Sequence, residues 1–298
     1  MGNQNKGAAC LLSAVVVTYN SAGDIGPCLQ TVRASKGVGE TGIAVVDNAS
    51  SDGTADVVAR DFPDVRLIRN ETNVYYANAC NQGARAAGSG AKYLLLLNPD
   101  VCLREDTLNL LTGCLEQNAD VAAVAPKLVS PDGKTQRSVR RFPTYSTLWC
   151  ELLGLSRLFP RHPAFARWRM DLDNVHDAVD VDQPMASCLL IRRAVWDQLG
   201  GFDERFPMFF NDVDLCYRIK QSEWRIVYLP QAMATHRLGG SVRPVMAKMV
   251  WFSHLGFLRF LRKHHRQPAD LVKYMLSMPI VILAAVLRSV YWLIRGRV

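Results

Sequence analysis

No two cysteines of this chain stand as CxxC, no histidines pair at zinc-ligand spacing, and no low-complexity tract interrupts its 298 residues. The eight cysteines (Cys10, Cys28, Cys80, Cys102, Cys114, Cys150, Cys188, Cys216) are scattered, most among apolar neighbours. That usage fits reduced, buried thiols of a cytosolic protein. There is no GxxxxGK[ST], and Gly37 to Gly42 lacks the spacing of a dinucleotide fingerprint, so neither the phosphate loop of an ATPase nor a nicotinamide oxidoreductase is indicated. A Ser/Cys–His triad signature is missing as well. Met1 to Ala9 is short and polar, without the apolar stretch and cleavage site of a signal peptide, so the protein is expected to stay in the cytoplasm.

Acidic residues are also scarce in one place. Residues 251–298 carry eight basic side chains against Asp270 alone, a surplus of seven out of the chain's net +8. The first 250 residues are therefore nearly neutral. A nucleic-acid binder would carry its charge on the folded domain, so no nucleic-acid partner is expected and the tail reads as facing anionic lipid.

With 49% hydrophobic residues, the chain can bury a full core. Ala14–Thr18 is an apolar, β-branched run, as in a strand covered on both faces. Similar runs recur at 42–47, 65–69, 93–97 and 121–125, separated by helical stretches at 24–34, from Thr54, at 77–87 and at 108–117. This alternation predicts an α/β fold with a mostly parallel sheet, whose ligands bind beyond the carboxyl ends of the strands. Ser130 to Asp182 breaks the pattern and reads as an irregular insertion. A strand over 184–192, a helix over 211–221 and strands at 224–228 and 232–236 follow.

Polar clusters at those strand ends carry the chemistry. Pro99 stops the fourth strand and stiffens the turn, which leaves Asp100 on a rigid tip where a carboxylate suits a hard divalent cation next to a diphosphate; an ordinary Asn-Pro-Asp turn is the alternative. Asp47 and Asn48 could meet a nucleobase or ribose, or simply cap the next helix. Thr18, Tyr19 and Asn20 offer an aromatic face with polar edges. Asp212 and Asp214, two apart on a helix, point to different faces, so one can act as general base while the other anchors the helix. His236, before Gly239-Gly240-Ser241, could be a metal ligand or a diphosphate donor, or a structural histidine.

In order along the chain, VVVTYNSAGDIGPCL, VVDNASSDGT, NVYYANACNQG, LLLLNPDV, SCLLIRRAVWDQLGGFDERFPMFFNDVDLCYRI and WRIVYLPQAMATHRLGGS resemble bacterial family-2 inverting glycosyltransferases of the GT-A fold. The Asn-Pro-Asp and GGFDE…DVDLC arrangement is most similar to rhamnosyltransferases and related envelope-polysaccharide enzymes. The resemblance implies a catalytic domain over 1–241, with 130–182 on the acceptor side. It implies that Thr18, Tyr19, Asn20, Asp47, Asn48, Asn73 and Asn81 hold the nucleotide sugar, with Asn98 and Asp100 as the DxD-like pair. Asp100 and His236 would bind Mg²⁺ or Mn²⁺, Asp212 would be the general base, and Gly200, Gly201, Phe202 and Asn211 would lie on the acceptor side. Three positions depart from the family pattern. Asn98 leaves one carboxylate for the metal, Asn211 stands where a glutamate usually precedes the base, and Tyr75 replaces a glycine, which bears on Asn73 and Asn81.

In the tail, Phe257, Leu258, Phe260 and Leu261 fall opposite Arg259, Arg262, Lys263 and Arg266, the pattern of a helix on an anionic membrane. Tyr274 to Leu287 is apolar, shorter than the ~20 residues needed to span, and contains Pro279, so residues 242–298 are expected to be membrane-association helices, a monotopic anchor or re-entrant pair in preference to a true span; a buried dimer interface, as in a homo-oligomer, is the alternative. The expected activity is transfer of a sugar, L-rhamnose from dTDP-rhamnose, to a polyprenyl-diphosphate-linked saccharide at the cytoplasmic face of the inner membrane. A UDP-hexose donor and a non-catalytic membrane scaffold are the rival readings.

Overall fold

A computed structural model of the chain describes residues 11–38, 41–88, 90–159, 162, 164, 165, 168, 170, 172, 175–237 and 246–295. Met1 to Ala9, Gly239-Gly240-Ser241 and the 241/242 boundary lie outside them. The first half alternates β1 (Leu12–Thr18), α1 (Ala22–Arg33), β2 (Thr41–Asp47), α2 (Thr54–Asp61), β3 (Arg66–Arg69), α3 (Tyr75–Ala86) and β4 (Tyr93–Leu97). Every side chain of β1 and β4 is buried, which is why both read as unbroken apolar runs. Next come β5 (Val101–Leu103), α4 (Thr107–Gln117), β6 (Val121–Val129), β7 (Val139–Arg140), α5 (Tyr145–Leu152), α6 (Leu155–Leu158), β8 (Val179–Asp180), β9 (Gln183–Pro184) and β10 (Cys188–Arg192). The chain ends with α7 (Arg193–Leu199), α8 (Asn211–Gln221), β11 (Arg225–His236), α9 (Met246–His264) and α10 (Pro268–Arg295).

The main sheet has the order β3-β2-β1-β4-β10-β6-β11-β5, with β8 on β11. Strands β1 to β4, β6 and β11 run parallel, while β10 runs antiparallel between β4 and β6. One edge of the sheet therefore collects the carboxyl ends of β1, β2, β4 and β11 together with the residues that enter β10. Burial pushes the thiols of Cys28, Cys80, Cys188 and Cys216 upward, Cys188 to about 12, and no described cysteine is bonded to another.

Several expectations change. The two strands expected at 224–228 and 232–236 are one strand, β11, with a register shift between Leu229 and Met233. The stretch 130–182 is not irregular throughout, because β7, α5, α6 and β8 are built in it. The larger correction concerns the tail. Phe257, Leu258, Phe260 and Leu261 of α9 do not face lipid; they are buried against Tyr145, Phe206, Phe210 and Val213. An amphipathic helix buries its apolar stripe on any apolar surface within reach, and the aromatic run ahead of α8 supplies one. Lys263 is taken up by Asp203 at 2.8 Å and by Asp214.

The outward apolar surface belongs to α10. Pro279 does not end it, and Pro268–Ile294 is 27 residues, long and apolar enough to cross a membrane by length and composition. Its polarity is inverted. Ser277, Val281, Ala285 and Ser289 face inward, while Leu276, Ile280, Leu283, Leu287 and Leu293 are exposed. Trp149 of α5 donates to Ser277 Oγ at 2.9 Å, Arg288 meets His254 of α9 at 3.2 Å, and Ser289 donates to the Ala247 carbonyl at 3.5 Å. These contacts lay α10 antiparallel along α9 rather than away from the domain.

Candidate active site

A cavity of about 500 Å³ opens where β1, β4 and β11 end and the chain enters β10. Thr18, Tyr19, Asn48, Asn73, Asn98 and Asp100 line it, as do Asn211, Asp212 and His236. Pro99 separates β4 from β5, and β5 pairs with β11 so that Val101 lies opposite His236. This pairing brings Asp100 to His236, with His236 Nε2 3.3 Å from Asp100 Oδ1. The Asp100 carbonyl accepts from Arg237 N at 3.0 Å, which pins the turn to the strand. On its far side the His236 ring meets Gln136, Nδ1 to Oε1 at 3.0 Å.

Asp212 opens α8 with its carboxylate at the cavity wall. Its Oδ1 accepts from Val213 N at 2.8 Å, and Ala186 N approaches Oδ2 at 3.4 Å. Burial pushes this carboxyl above its ordinary value, against those bonds and the charge of Arg140. A raised aspartate beside a cavity is suited to accept a proton. Asn211 also lines the cavity, but its amide serves the loop: Oδ1 accepts from Asp212 N at 2.7 Å and Nδ2 donates to the Met208 carbonyl at 3.2 Å.

Asp214 faces the other way. It is fully buried and accepts from Arg218 Nε at 2.8 Å, His264 Nε2 at 2.8 Å and Lys263 Nζ at 2.5 Å. Burial alone would raise its carboxyl, but His264, Arg218 and Lys263 together hold it below the usual carboxylate range. Asp203 is likewise held well below that range by Arg205 and Lys263. Two residues apart, Asp212 serves the cavity and Asp214 ties α8 to α9.

Other expected site residues make their contacts within the protein. Asp47 is 3% exposed, and its carboxylate is occupied by Thr18 Oγ1 at 2.8 Å and by Ser50, so it joins the ends of β1 and β2 instead of lining the cavity. Asn20, at φ 51°, turns its side chain to Ser51 N. Asn81 does not reach the cavity: Nδ2 donates to the Phe202 carbonyl at 2.9 Å and Oδ1 accepts from Phe202 N at 3.0 Å. Gly200 and Gly201 both have φ 72°, and a Cβ on Gly201 would lie 2.6 Å from Asn81 Oδ1. Gly201, Phe202 and Asn81 form a buried tie behind the site, while Gly200 is exposed.

Tyr75 explains its own departure. It holds φ 64°, the left-handed region that favours glycine. Its N donates to Asn73 Oδ1 at 2.9 Å. Its ring packs edge-on against Phe252 at 5.0 Å, and Lys248 Nζ lies 5.0 Å from its centroid. Sequence reasoning missed Tyr76, Ser187, Lys248, Met249 and Gln136. Lys248 and Met249 line the cavity from α9, an element that carries no motif, and Gln136 lies 100 residues from the histidine it touches.

The chain matches the Glycosyl transferase family 2 model over residues 13–195. It belongs to glycosyl transferase family 2. Among curated relatives, this family 2 chain is 29% identical over 267 residues, 86% of its length and 85% of the relative's, to an N-acetylglucosaminyl-diphospho-decaprenol L-rhamnosyltransferase of Mycobacterium tuberculosis. It is 26% identical over 147 residues, 48% of its length and 52% of the relative's, to rhamnosyltransferase WbbL of Escherichia coli K12. A mannosyltransferase from Pyrobaculum calidifontis, solved with GDP-Man and Mn²⁺, superposes with TM-score 0.57 at 17% identity, over 96% of this chain and 75% of that one. The architecture is GT-A-like, a mixed α/β sheet flanked by helices.

Proposed function

We propose that this glycosyltransferase moves a sugar, L-rhamnose from dTDP-rhamnose, onto a polyprenyl-diphosphate-linked saccharide with inversion of configuration. The observation that carries the reading is that Asp212, with its raised carboxyl, and the Asp100–His236 pair line one cavity. The Mycobacterium relative, whose name specifies a lipid-linked acceptor and rhamnose, supports the substrate class.

In a single displacement, Asp212 takes the proton of an acceptor hydroxyl as that oxygen attacks the anomeric carbon. The bond from the anomeric carbon to the diphosphate oxygen breaks, and its electron pair leaves with the nucleoside diphosphate. Thr18, Tyr19 and Asn48 line the side of the cavity where the nucleoside would lie. No group of three or more His, Cys, Asp or Glu residues that could hold a metal is found among the described residues; Asp100 and His236, 3.3 Å apart, are the pair assigned to a divalent cation. A carboxylate with an imidazole nitrogen fits Mn²⁺, and also Mg²⁺ where diphosphate oxygens and water complete the shell. Such a cation would neutralise charge on the departing diphosphate.

The exposed apolar side of α10 fits a seat in the cytoplasmic leaflet. Because α9 is bound to the domain along its apolar face, α10 lies flat on the molecule, as a monotopic element does. Ser289 of α10 meets Ala247, the residue before Lys248 and Met249 of the cavity wall, so α10 passes close to the catalytic opening. A lipid-linked acceptor could reach it without leaving the bilayer.

Asp212→Asn should abolish turnover while binding of nucleotide sugars, followed by thermal shift with and without Mg²⁺ or Mn²⁺, stays near wild type. Near-full activity in that variant would sink the assignment. The same panel of dTDP- and UDP-sugars identifies the donor.

A further inference from the structure

The segment between β6 and β7 holds a side chain that the scheme above does not use. Gln136 is fixed by its own backbone, donating its N–H to the Leu128 carbonyl at 2.8 Å and accepting from Ser138 N at 2.8 Å. Its amide then makes two contacts to one residue. Nε2 donates to the His236 carbonyl at 2.7 Å, and Oε1 lies 3.0 Å from His236 Nδ1. A backbone carbonyl can only accept, so the NH₂ end of the amide must face it. Oε1 is thereby turned to Nδ1, and since an amide oxygen can only accept, Nδ1 must carry the proton. The other ring nitrogen, Nε2, is left facing Asp100 Oδ1 at 3.3 Å.

We propose that Gln136 is a positioning residue that selects the His236 tautomer with Nε2 open toward Asp100, completing a carboxylate–imidazole seat for a divalent cation. In the opposite tautomer Nε2 would carry the hydrogen, and the ring could donate to Asp100 but not bind a cation beside it. His236 is 2% exposed, so water has little room to replace the amide. The inference rests on the reading of Asp100 and His236 as cation ligands.

The test uses the full chain, with Mn²⁺ as probe, in the presence of nucleoside diphosphate. Mn²⁺ affinity is measured by electron paramagnetic resonance, and the His236 tautomer by ¹⁵N resonance in the metal-free protein. Gln136→Ala should weaken Mn²⁺ binding about 10- to 100-fold, the range for loss of a ligand's outer partner, and should lose the single Nδ1–H signature. Gln136→Glu keeps an acceptor opposite Nδ1 but sets its second oxygen against the His236 carbonyl, so it should retain the Nδ1–H signature and bind Mn²⁺ more tightly than Gln136→Ala. His236→Ala sets the floor. Wild-type affinity with an unchanged tautomer in Gln136→Ala would overturn the proposal. Weakened affinity with the tautomer unchanged would overturn it too, by reducing Gln136 to a packing role. Absence of Mn²⁺ binding by the wild type would instead overturn the cation reading itself.

Discussion

Replacing Asp214 by Asn removes one negative charge from a buried site flanked by two cations, Arg218 and Lys263, and by the His264 ring. Breaking a buried ion pair by deleting one partner costs about 3–5 kcal/mol. Here the cations are not stranded. Lys263 keeps Asp203 at 2.8 Å, and Arg218 keeps the carbonyls of Leu199 and Gly201, each at 2.8 Å. The expected loss is therefore near the lower end, about 3 kcal/mol. Denaturant unfolding at neutral pH measures it, and limited proteolysis should show cleavage around α9 before the rest of the domain opens. The pH dependence has a defined sign. Asp214 and Asp203 are held below their ordinary values, so the stability they contribute is present above an unfolded aspartate's pKa of ~3.9 and is lost as pH falls through their lower folded values. The gap between wild type and Asp214→Asn should narrow only below about pH 4. A variant that unfolds within about 1 kcal/mol of wild type at neutral pH, the size of an exposed pair, would refute the claim that this cluster joins α8 to α9.

Because burial raises the Asp212 carboxyl, the acid limb of kcat/KM should lie above the pKa of an ordinary aspartate, ~3.9; a limb at or below that value would remove Asp212 as the base. At position 75, Gly should be more stable than Ala by about 1 kcal/mol in thermal unfolding, since Ala keeps the positive φ without the ring contacts; equal stabilities would mean that the backbone there is not strained. Leu283→Asp together with Leu287→Asp on α10 should reduce co-sedimentation with anionic vesicles severalfold and leave the melting temperature unchanged. Undiminished sedimentation would assign the α10 face to a second copy of the chain.

The strands that build the edge of the site were legible because β1 and β4 are covered on both faces, and burial on both faces writes an apolar run. Asp100 and Asp212 were legible because each follows a recognisable break, a proline turn and a helix start. The reversed direction of β10 was not, since an apolar run reads the same either way. Nor was the fate of α9: alternating basic and aromatic residues fit a lipid surface and an aromatic groove alike, and only Phe206, Phe210 and Tyr145 in space decide between them. Asn81 and Asp47 carry motif positions, yet their polar atoms are spent on Phe202, Thr18 and Ser50, a contact pattern that spacing cannot display. Gln136 sat in a stretch without periodicity and gave no signal.

Asp212 and Asp214 share one turn of α8, so the proposed proton acceptor and the tether to the α9–α10 hairpin are separated by a single residue, Val213, of rigid backbone. If α10 rests in a bilayer, this fixes the height of the reactive carboxylate above the lipid plane, much as a stylus is fixed to its arm. Acceptors confined to that plane then arrive at a constant depth, and encounter becomes a two-dimensional search. The length of the polar linkage between lipid and sugar would be gauged against that height, so a longer or shorter glycan stem would present its hydroxyl above or below the base.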